Sequence, residues 1–194
     1  MSSTNRGDSR THHKSDFYVT PAKHIRLFLG HWLADAGIER PDRFRWLDPA
    51  AGGDASHGMP YHDVILEETG NAPDTMDIRP DSRADRKGDY LAEQVEPSYY
   101  DVIITNPPFC DAERFIRKAL EDVAEGGYVV MLLRLNFFGS KARFPLFTEH
   151  LPERCYVHHE RIGFTDDGVT DSVEYCHMVW RKGRKPEYTK LKVI

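Results

Sequence analysis

The segment Tyr128-Val129-Val130-Met131-Leu132-Leu133 is apolar throughout, with no polar residue alternating along it. A strand of that pattern has no solvent face. It must be covered on both sides, which is the setting of a central strand in a parallel sheet flanked by helices. Its neighbours agree. Residues 101–105 read as another buried strand, followed by a helix for which Asp111 is a candidate cap. Phe115, Ile116, Ala119, Leu120 and Val123 form its stripe, and Gly126-Gly127 stops it. Earlier, Thr20 as N-cap, Pro21 at the first helical position and Ile25, Phe28, Leu29, Trp32, Leu33 and Ala36 at helical spacing predict a helix ending at Gly37. Leu47 closes a first strand, Pro60 opens a helix with Tyr61, Val64 and Ile65 on one face, and a strand follows over 74–78. Strands separated by helices imply an α/β fold with a mostly parallel sheet and helices on both faces.

The last third changes character. Residues 155–159 and 173–180 read as two strands joined by a loop holding Gly163, Asp166, Asp167 and Gly168, a connection that suits an antiparallel pair at the sheet edge. His158, His159 and His177 fall on these strands and are read as packing or surface residues. The chain divides into a polar, disordered tail over 1–15, one domain over 16–182 and a basic tail over 183–194 containing Arg184, Lys185, Lys190 and Lys192. At 194 residues and 40% hydrophobic content there is enough chain for one sizeable core. No run reaches the ~20 apolar residues needed to cross a membrane, and no signal segment opens the chain. Three cysteines, Cys110, Cys155 and Cys176, lack Cys-x-x-Cys spacing, so reduced thiols and a cytoplasmic setting are expected, and no metal site. His12 and His13, paired in a flexible polar tail, are not taken as ligands.

Two loops carry the chemistry. Asp101-Val-Ile-Ile-Thr-Asn106-Pro107-Pro108-Phe109 runs a buried strand into a turn stiffened by two prolines, which fix their own φ and bar the preceding residue from the helical region. The Asn106 side-chain carbonyl and the Pro107 carbonyl, beside the ring of Phe109, can hold the amino group of a planar base lifted from its helix. An ordinary strand ending in a proline turn is the alternative that context must decide. Upstream, Trp46-Leu47-Asp48-Pro49-Ala50-Ala51-Gly52-Gly53-Asp54 ends a strand in an acid and a small-residue loop, where a ligand can approach the backbone. There is neither Gly-x-Gly-x-x-Gly nor a Gly-Lys-Ser/Thr phosphate loop, which disfavours dinucleotides and nucleoside triphosphates.

Together the Asp-Pro-Ala-Ala-Gly-Gly and Asn-Pro-Pro-Phe segments resemble motifs I and IV of the adenine-specific DNA methyltransferases that use S-adenosylmethionine, the small phage-type members above all. Asp16-Phe-Tyr18-Val-Thr20-Pro21 resembles their motif X. The resemblance covers residues 16 to about 180 and implies a Rossmann-like class I methyltransferase fold with seven strands, the last forming an antiparallel hairpin. It further implies that Tyr18, Thr20 and Pro21 line the methionine side of the cofactor, and that Asp48, Ala50 and Gly52 contact its amino acid part. Asp77, with Ile78 beside it, would meet the ribose, and Asp89 and Tyr90 would lie near the adenine. Asn106, Pro107, Pro108 and Phe109 would be the catalytic turn. A carboxylate suits a vicinal diol because it accepts two hydrogen bonds. Asp74, Asp81, Asp85 and Asp89 compete with Asp77 for that role, and the spacing from Asp48 exceeds the ~20 residues of the tight dinucleotide unit. Asp54 stands where the family often has Gly.

The net charge of −5 does not suit a protein that coats nucleic acid, so DNA would need a local basic strip. Arg134, Lys141 and Arg143 in the second half, and the basic tail with Arg181 and Lys182, are candidates. No room is seen for a separate target-recognition domain. The loop from Phe137 to Pro152, whose Lys141, Arg143, Phe144 and Phe147 combine charge with aromatic rings, is the expected substitute, and short or relaxed sequence specificity follows. Adenine methylation in RNA would use the same turn. Glutamine methylation in a release factor usually has Tyr in place of Phe109, and an inactive cofactor- or DNA-binding module is the remaining alternative. Oligomeric state is not legible.

Overall fold

The computed structural model describes residues 18–164 and 172–194. The tail expected over 1–15, the first two residues of the motif X segment and Asp166, Asp167 and Gly168 of the hairpin loop lie outside them. The first helix, α1, spans Ala22–Ala36 and buries Ile25, Phe28, Leu29 and Trp32, a stripe at i, i+3, i+4 and i+7. Pro21, not Thr20, occupies its N-cap, so the helix begins one residue later than the capping pattern predicts. Gly37 ends it with φ 66°, a left-handed position that glycine adopts without penalty.

Then come β1 (Trp46–Asp48), α2 (Pro60–Thr69), β2 (Asp74–Asp77), β3 (Arg86–Lys87) and β4 (Val102–Thr105). These are followed by α3 (Ala112–Asp122), β5 (Tyr128–Arg134), α4 (Phe144–Glu149), β6 (Arg154–Val157), β7 (Tyr175–Arg181) and β8 (Lys190–Val193). One sheet of eight strands results, in the order β3-β2-β1-β4-β5-β7-β6-β8. The count exceeds the expected seven because Lys190–Val193, read from sequence as part of a basic tail, pairs in parallel with β6. Its residues are all exposed, and lysines on such an edge discourage further strand addition.

Strands β3, β2, β1, β4 and β5 run parallel, and β7 is antiparallel to both β5 and β6. β4 and β5 are buried on both faces, as their composition requires. Alternate residues divide between two cores. Leu47, Ile103, Val129 and Met131 pack with α3 on one face, through Phe115, Ile116 and Ala119. Trp46, Val102, Ile104 and Val130 pack with α1 and α2 on the other, through Phe28, Trp32, Tyr61 and Ile65. The chain turns from β1 outward to β2 and β3, then returns to place β4 on the far side of β1. Such a reversal opens a crevice at the carboxyl ends of the strands, where α/β sheets take ligands. Among the described residues no helix is long and apolar enough to cross a membrane.

Candidate active site

A cavity of about 550 Å³ occupies that crevice. Each parallel strand from β1 to β4 delivers one wall. Pro49, Ala50 and Ala51 follow β1; Asp77 ends β2 and Ile78 and Arg79 follow; Asp89, Tyr90 and Leu91 come after β3; Asn106, Pro107 and Pro108 come after β4. Tyr18 and Thr20 close it from the segment before α1, and Pro60 and Tyr61 from the start of α2. Of the residues singled out from sequence, these ten are brought together: Tyr18, Thr20, Ala50, Asp77, Ile78, Asp89, Tyr90, Asn106, Pro107 and Pro108.

The catalytic-turn candidate has a defined orientation. Asn106 Nδ2 donates to Thr20 Oγ1 at 3.2 Å, which turns the amide so that Oδ1 faces elsewhere. That oxygen is buried and has no hydrogen-bond partner among the described residues. A buried acceptor left without a donor costs about 1–3 kcal/mol, so this oxygen has a hydrogen-bonding capacity that the described residues leave unmet. The Pro108 carbonyl is committed to the Asp111 amide at 3.0 Å, closing the turn. Asp111 precedes α3 without capping it through its side chain; its carboxylate accepts from Arg114 at 2.9 Å instead.

Asp77 is buried at the end of β2, and both its oxygens accept backbone hydrogen bonds, from Gly52 at 2.7 Å and Arg79 at 2.8 Å. Each oxygen keeps a second lone pair for a ligand. Gly52 therefore joins the loop after β1 to the end of β2, at φ 66°, rather than lining the cavity. Asp48 also lies behind the wall. It is 1% exposed, accepts from the Ala50 amide at 3.2 Å, and burial pushes its carboxyl up to about 7, with the nearby Asp77 charge adding to the rise. Pro21 is the α1 cap and does not line the cavity.

Tyr90 is almost wholly buried and donates to Asp122 Oδ2 at 2.8 Å, tying the loop after β3 to α3. Asp89 is exposed and accepts from the Leu91 amide at 3.0 Å. Phe109 does not line the cavity. It sits in an adjoining aromatic cluster, 6.0 Å from the Tyr18 ring and 5.8 Å from the Tyr175 ring, with the Arg134 guanidinium 4.9 Å from its centroid.

Lys141 and Arg143 lie outside the cavity lining. The segment expected as a loop folds into two tight helical turns, Leu135–Phe138 and Lys141–Arg143, followed by α4. Lys141 is exposed, whereas Arg143 donates to the Phe137 carbonyl at 2.8 Å and stacks over the Phe137 ring at 4.3 Å. The basic residues at the end of β7 fall at the opposite end of the sheet, because antiparallel pairing sets Arg181 beside Tyr128, where β5 begins. Sequence reasoning also passed over Tyr61, Arg79 and Arg114 as lining residues. The N-terminus of a helix that follows a parallel strand points at this edge, and Pro60 at the start of α2 was the available signal for Tyr61.

No protein-family model matches the chain, and no curated protein matches it by sequence. Solved structures do match in fold. A putative class I S-adenosylmethionine-dependent methyltransferase from Listeria monocytogenes superposes with TM-score 0.67 at 16% identity, covering 91% of this chain and 65% of that protein. This chain thus spans a little under two thirds of it. A putative RNA methyltransferase from Pyrococcus horikoshii gives TM-score 0.60 at 16% identity, over 87% of this chain and 89% of that one. The M protein of the type I restriction enzyme EcoKI gives 0.57 at 14% identity, over 90% of this chain and 45% of that one. At these identities the likeness concerns architecture, and the architecture is the Rossmann-like class I methyltransferase fold.

Proposed function

We propose that this protein transfers a methyl group from S-adenosylmethionine to the exocyclic N6 amino group of adenine in DNA. The observation that carries the reading is the Asn106 amide: Asn106 lines the cavity after β4, its Nδ2 donates to Thr20, and its carbonyl oxygen is buried and partnerless among the described residues. A group with hydrogens to donate fits that oxygen, and an amino group has two.

The residues present suit the cofactor. Asp77 keeps one lone pair on each oxygen for the ribose hydroxyls, and Ala50 and Ala51 let a ligand approach the backbone. Ile78, Tyr90 and Leu91 offer apolar surface to its adenine, and Tyr18 and Thr20 stand on the methionine side. Asp48 and Gly52 would act from behind, shaping the loop and fixing Asp77. When bound, the cofactor supplies a sulfonium methyl that is already a strong electrophile.

The amino nitrogen of a nucleobase is a poor nucleophile because its lone pair is delocalised into the ring. Asn106 Oδ1 and the Pro107 carbonyl would each accept one N–H, favouring a tetrahedral nitrogen with its lone pair localised on the remaining side. Alignment and fixed dipoles then supply much of the rate. Phe109, with Tyr18 beside it, would offer the extruded base an aromatic face worth ~1–3 kcal/mol. Lys141 would meet the phosphate backbone beside the site. The fold-level likeness to a restriction M protein and to a putative RNA methyltransferase supports a nucleic acid as substrate.

Incubation with methyl-labelled cofactor and duplex DNA, single-stranded DNA or RNA, followed by nucleoside analysis, tests this. N6-methyldeoxyadenosine is expected, and Asn106→Ala should lower turnover by about 10²–10³-fold while leaving cofactor affinity within twofold, by analogy with loss of one preorganised dipole elsewhere. Label appearing only in RNA or in protein would replace DNA as the substrate.

A further inference from the structure

The loop after β1 contains two adjacent glycines, Gly52 and Gly53, both in the left-handed region at φ 66° and 74°. Gly53 is also closely packed, since a Cβ built there would stand 2.8 Å from Met59 Cγ and 3.0 Å from Arg83 Cβ. Glycine loses more conformational freedom on folding than any other residue, and it has no side chain to anchor. Bonds to the backbone groups of these two residues must therefore fix them. From Asp54 onward the loop closes on itself. The Asp54 carboxylate accepts from the Ser56 and His57 amides at 2.7 and 2.8 Å, and the Asp54 amide donates to the His57 carbonyl at 3.0 Å.

The bonds that hold the glycine pair come from the segment after β2 and the carboxylate that ends it. The Gly52 amide donates to Asp77 Oδ2 at 2.7 Å, and the Gly52 carbonyl accepts from the Arg83 amide at 3.2 Å. The Gly53 carbonyl accepts from Arg79 Nη2 at 3.1 Å, in buried surroundings. Arg79 also meets Asp77, because its backbone amide donates to Asp77 Oδ1 at 2.8 Å. Its guanidinium is braced by Asp81, with Nε 3.1 Å from Oδ1 and Nη2 3.3 Å from Oδ2. A planar fork held on one side by a carboxylate presents its remaining hydrogens in a fixed direction. The Arg79 side chain is 10% exposed and that of Asp81 is 68% exposed, so the brace stands in solvent and the clasp behind it is buried.

We propose that Arg79 is a positioning residue for the cofactor: by holding the Gly53 carbonyl, its guanidinium keeps the loop after β1 in the conformation that receives S-adenosylmethionine. This rests on placing the cofactor between that loop and the end of β2, as in the function proposed above. Small residues let a ligand approach the backbone of the loop, so the position of the backbone itself sets the affinity. A loop left unfastened must be ordered at the moment of binding, and that cost is subtracted from the affinity. The role follows from the bond of Arg79 to Gly53 and needs no contact between Arg79 and the cofactor.

Arg79→Met keeps the apolar stem and removes the clasp. Its Kd for S-adenosylhomocysteine, the product left after methyl transfer, should rise about tenfold by calorimetry. Without ligand, hydrogen exchange at the bonded amides of Ala51, Gly52 and Asp54 should quicken about tenfold while the amides of α3 and β5 keep their rates, the pattern of a local opening. Asp81→Ala, at an exposed side chain, should move both readings the same way by a smaller factor, and it carries the test if Arg79→Met does not fold. An unchanged Kd overturns the inference. So does a raised Kd with unchanged loop exchange, which would make Arg79 a direct contact of the cofactor. Faster exchange throughout the core overturns it too, as the mark of a general packing defect. Neither measurement needs an acceptor. Failure of the unmodified protein to bind S-adenosylhomocysteine strikes the placement of the cofactor, and the exchange rates still decide whether Arg79 holds the loop.

Discussion

The two halves of the sheet do different work. From β3 to β4 every strand runs the same way, so the loop after each emerges at one edge, and together they furnish the cavity walls. Strands β7, β6 and β8 contribute no lining residue. β7 runs against β5 and β6, while β8 runs parallel to β6, and the link from these strands to a lining residue is indirect, through the hydrogen bond of His177 to Tyr61. A parallel arrangement concentrates chemistry at one edge, while the antiparallel half supplies rigidity behind it. Damage to the two halves should therefore register in different measurements.

The largest expected effect lies in the antiparallel half. Trp180 is 2% exposed in the core beside α3, and its indole N–H donates to the His150 carbonyl at 2.9 Å. Trp180→Ala removes a large buried side chain and its hydrogen bond to that carbonyl, which should cost about 3–5 kcal/mol of unfolding free energy in urea titrations. The kcat per folded molecule should stay within twofold. A comparable fall in kcat would break the division between the halves.

In the parallel half the expected loss is of affinity. Asp77→Asn replaces a doubly accepting carboxylate by an amide whose NH2 group faces either the Gly52 or the Arg79 backbone donor. Charge-assisted bonds of this type are worth about 1.5–3 kcal/mol, so the cofactor Kd should rise roughly ten- to hundredfold by calorimetry. An unchanged Kd would remove Asp77 from the ribose role.

What the sequence disclosed follows the same division. The buried strands β4 and β5 and the stripes of α1 and α3 were legible because a hydrophobic period is local information. The ends of β1, β2 and β4 were legible as the edge that lines the cavity because strand direction alone decides which loops share an edge. Depth was not legible. Asp48 and Gly52 sit at the expected positions along the chain yet behind the wall, and nothing in Asp-Pro-Ala-Ala-Gly-Gly distinguishes a side chain that touches a ligand from one that shapes the loop. β8 was missed because a short lysine-rich segment pairs only through a long-range partner, β6. The hydrogen bonds of His177 to Tyr61 and His158 were not legible for the same reason. His177 meets His158 only through pairing of β6 with β7, and Tyr61 lies more than a hundred residues earlier in the chain.

The smallest expected effect concerns the segment after β5, where two cations close in sequence have separate tasks. Arg143 is held by the Phe137 carbonyl and ring, so it fastens the turn that leads into α4. Lys141 is exposed on the same turn with its ammonium available to solvent or phosphate. If DNA passes over this segment, Lys141→Ala should weaken binding only a few-fold at low salt and reduce the slope of log affinity against log salt by about one, the signature of a single lost phosphate contact. Arg143→Ala should lower the melting temperature as well, because a half-buried hydrogen bond and a cation–ring contact go with it. Fluorescence anisotropy over a salt series, with melting curves for both variants, separates the two. Equal salt slopes for Lys141→Ala and the unmodified protein would move the DNA path away from this turn, and the basic strip would have to be sought among other cations on the cavity edge, with Arg114 the first to examine.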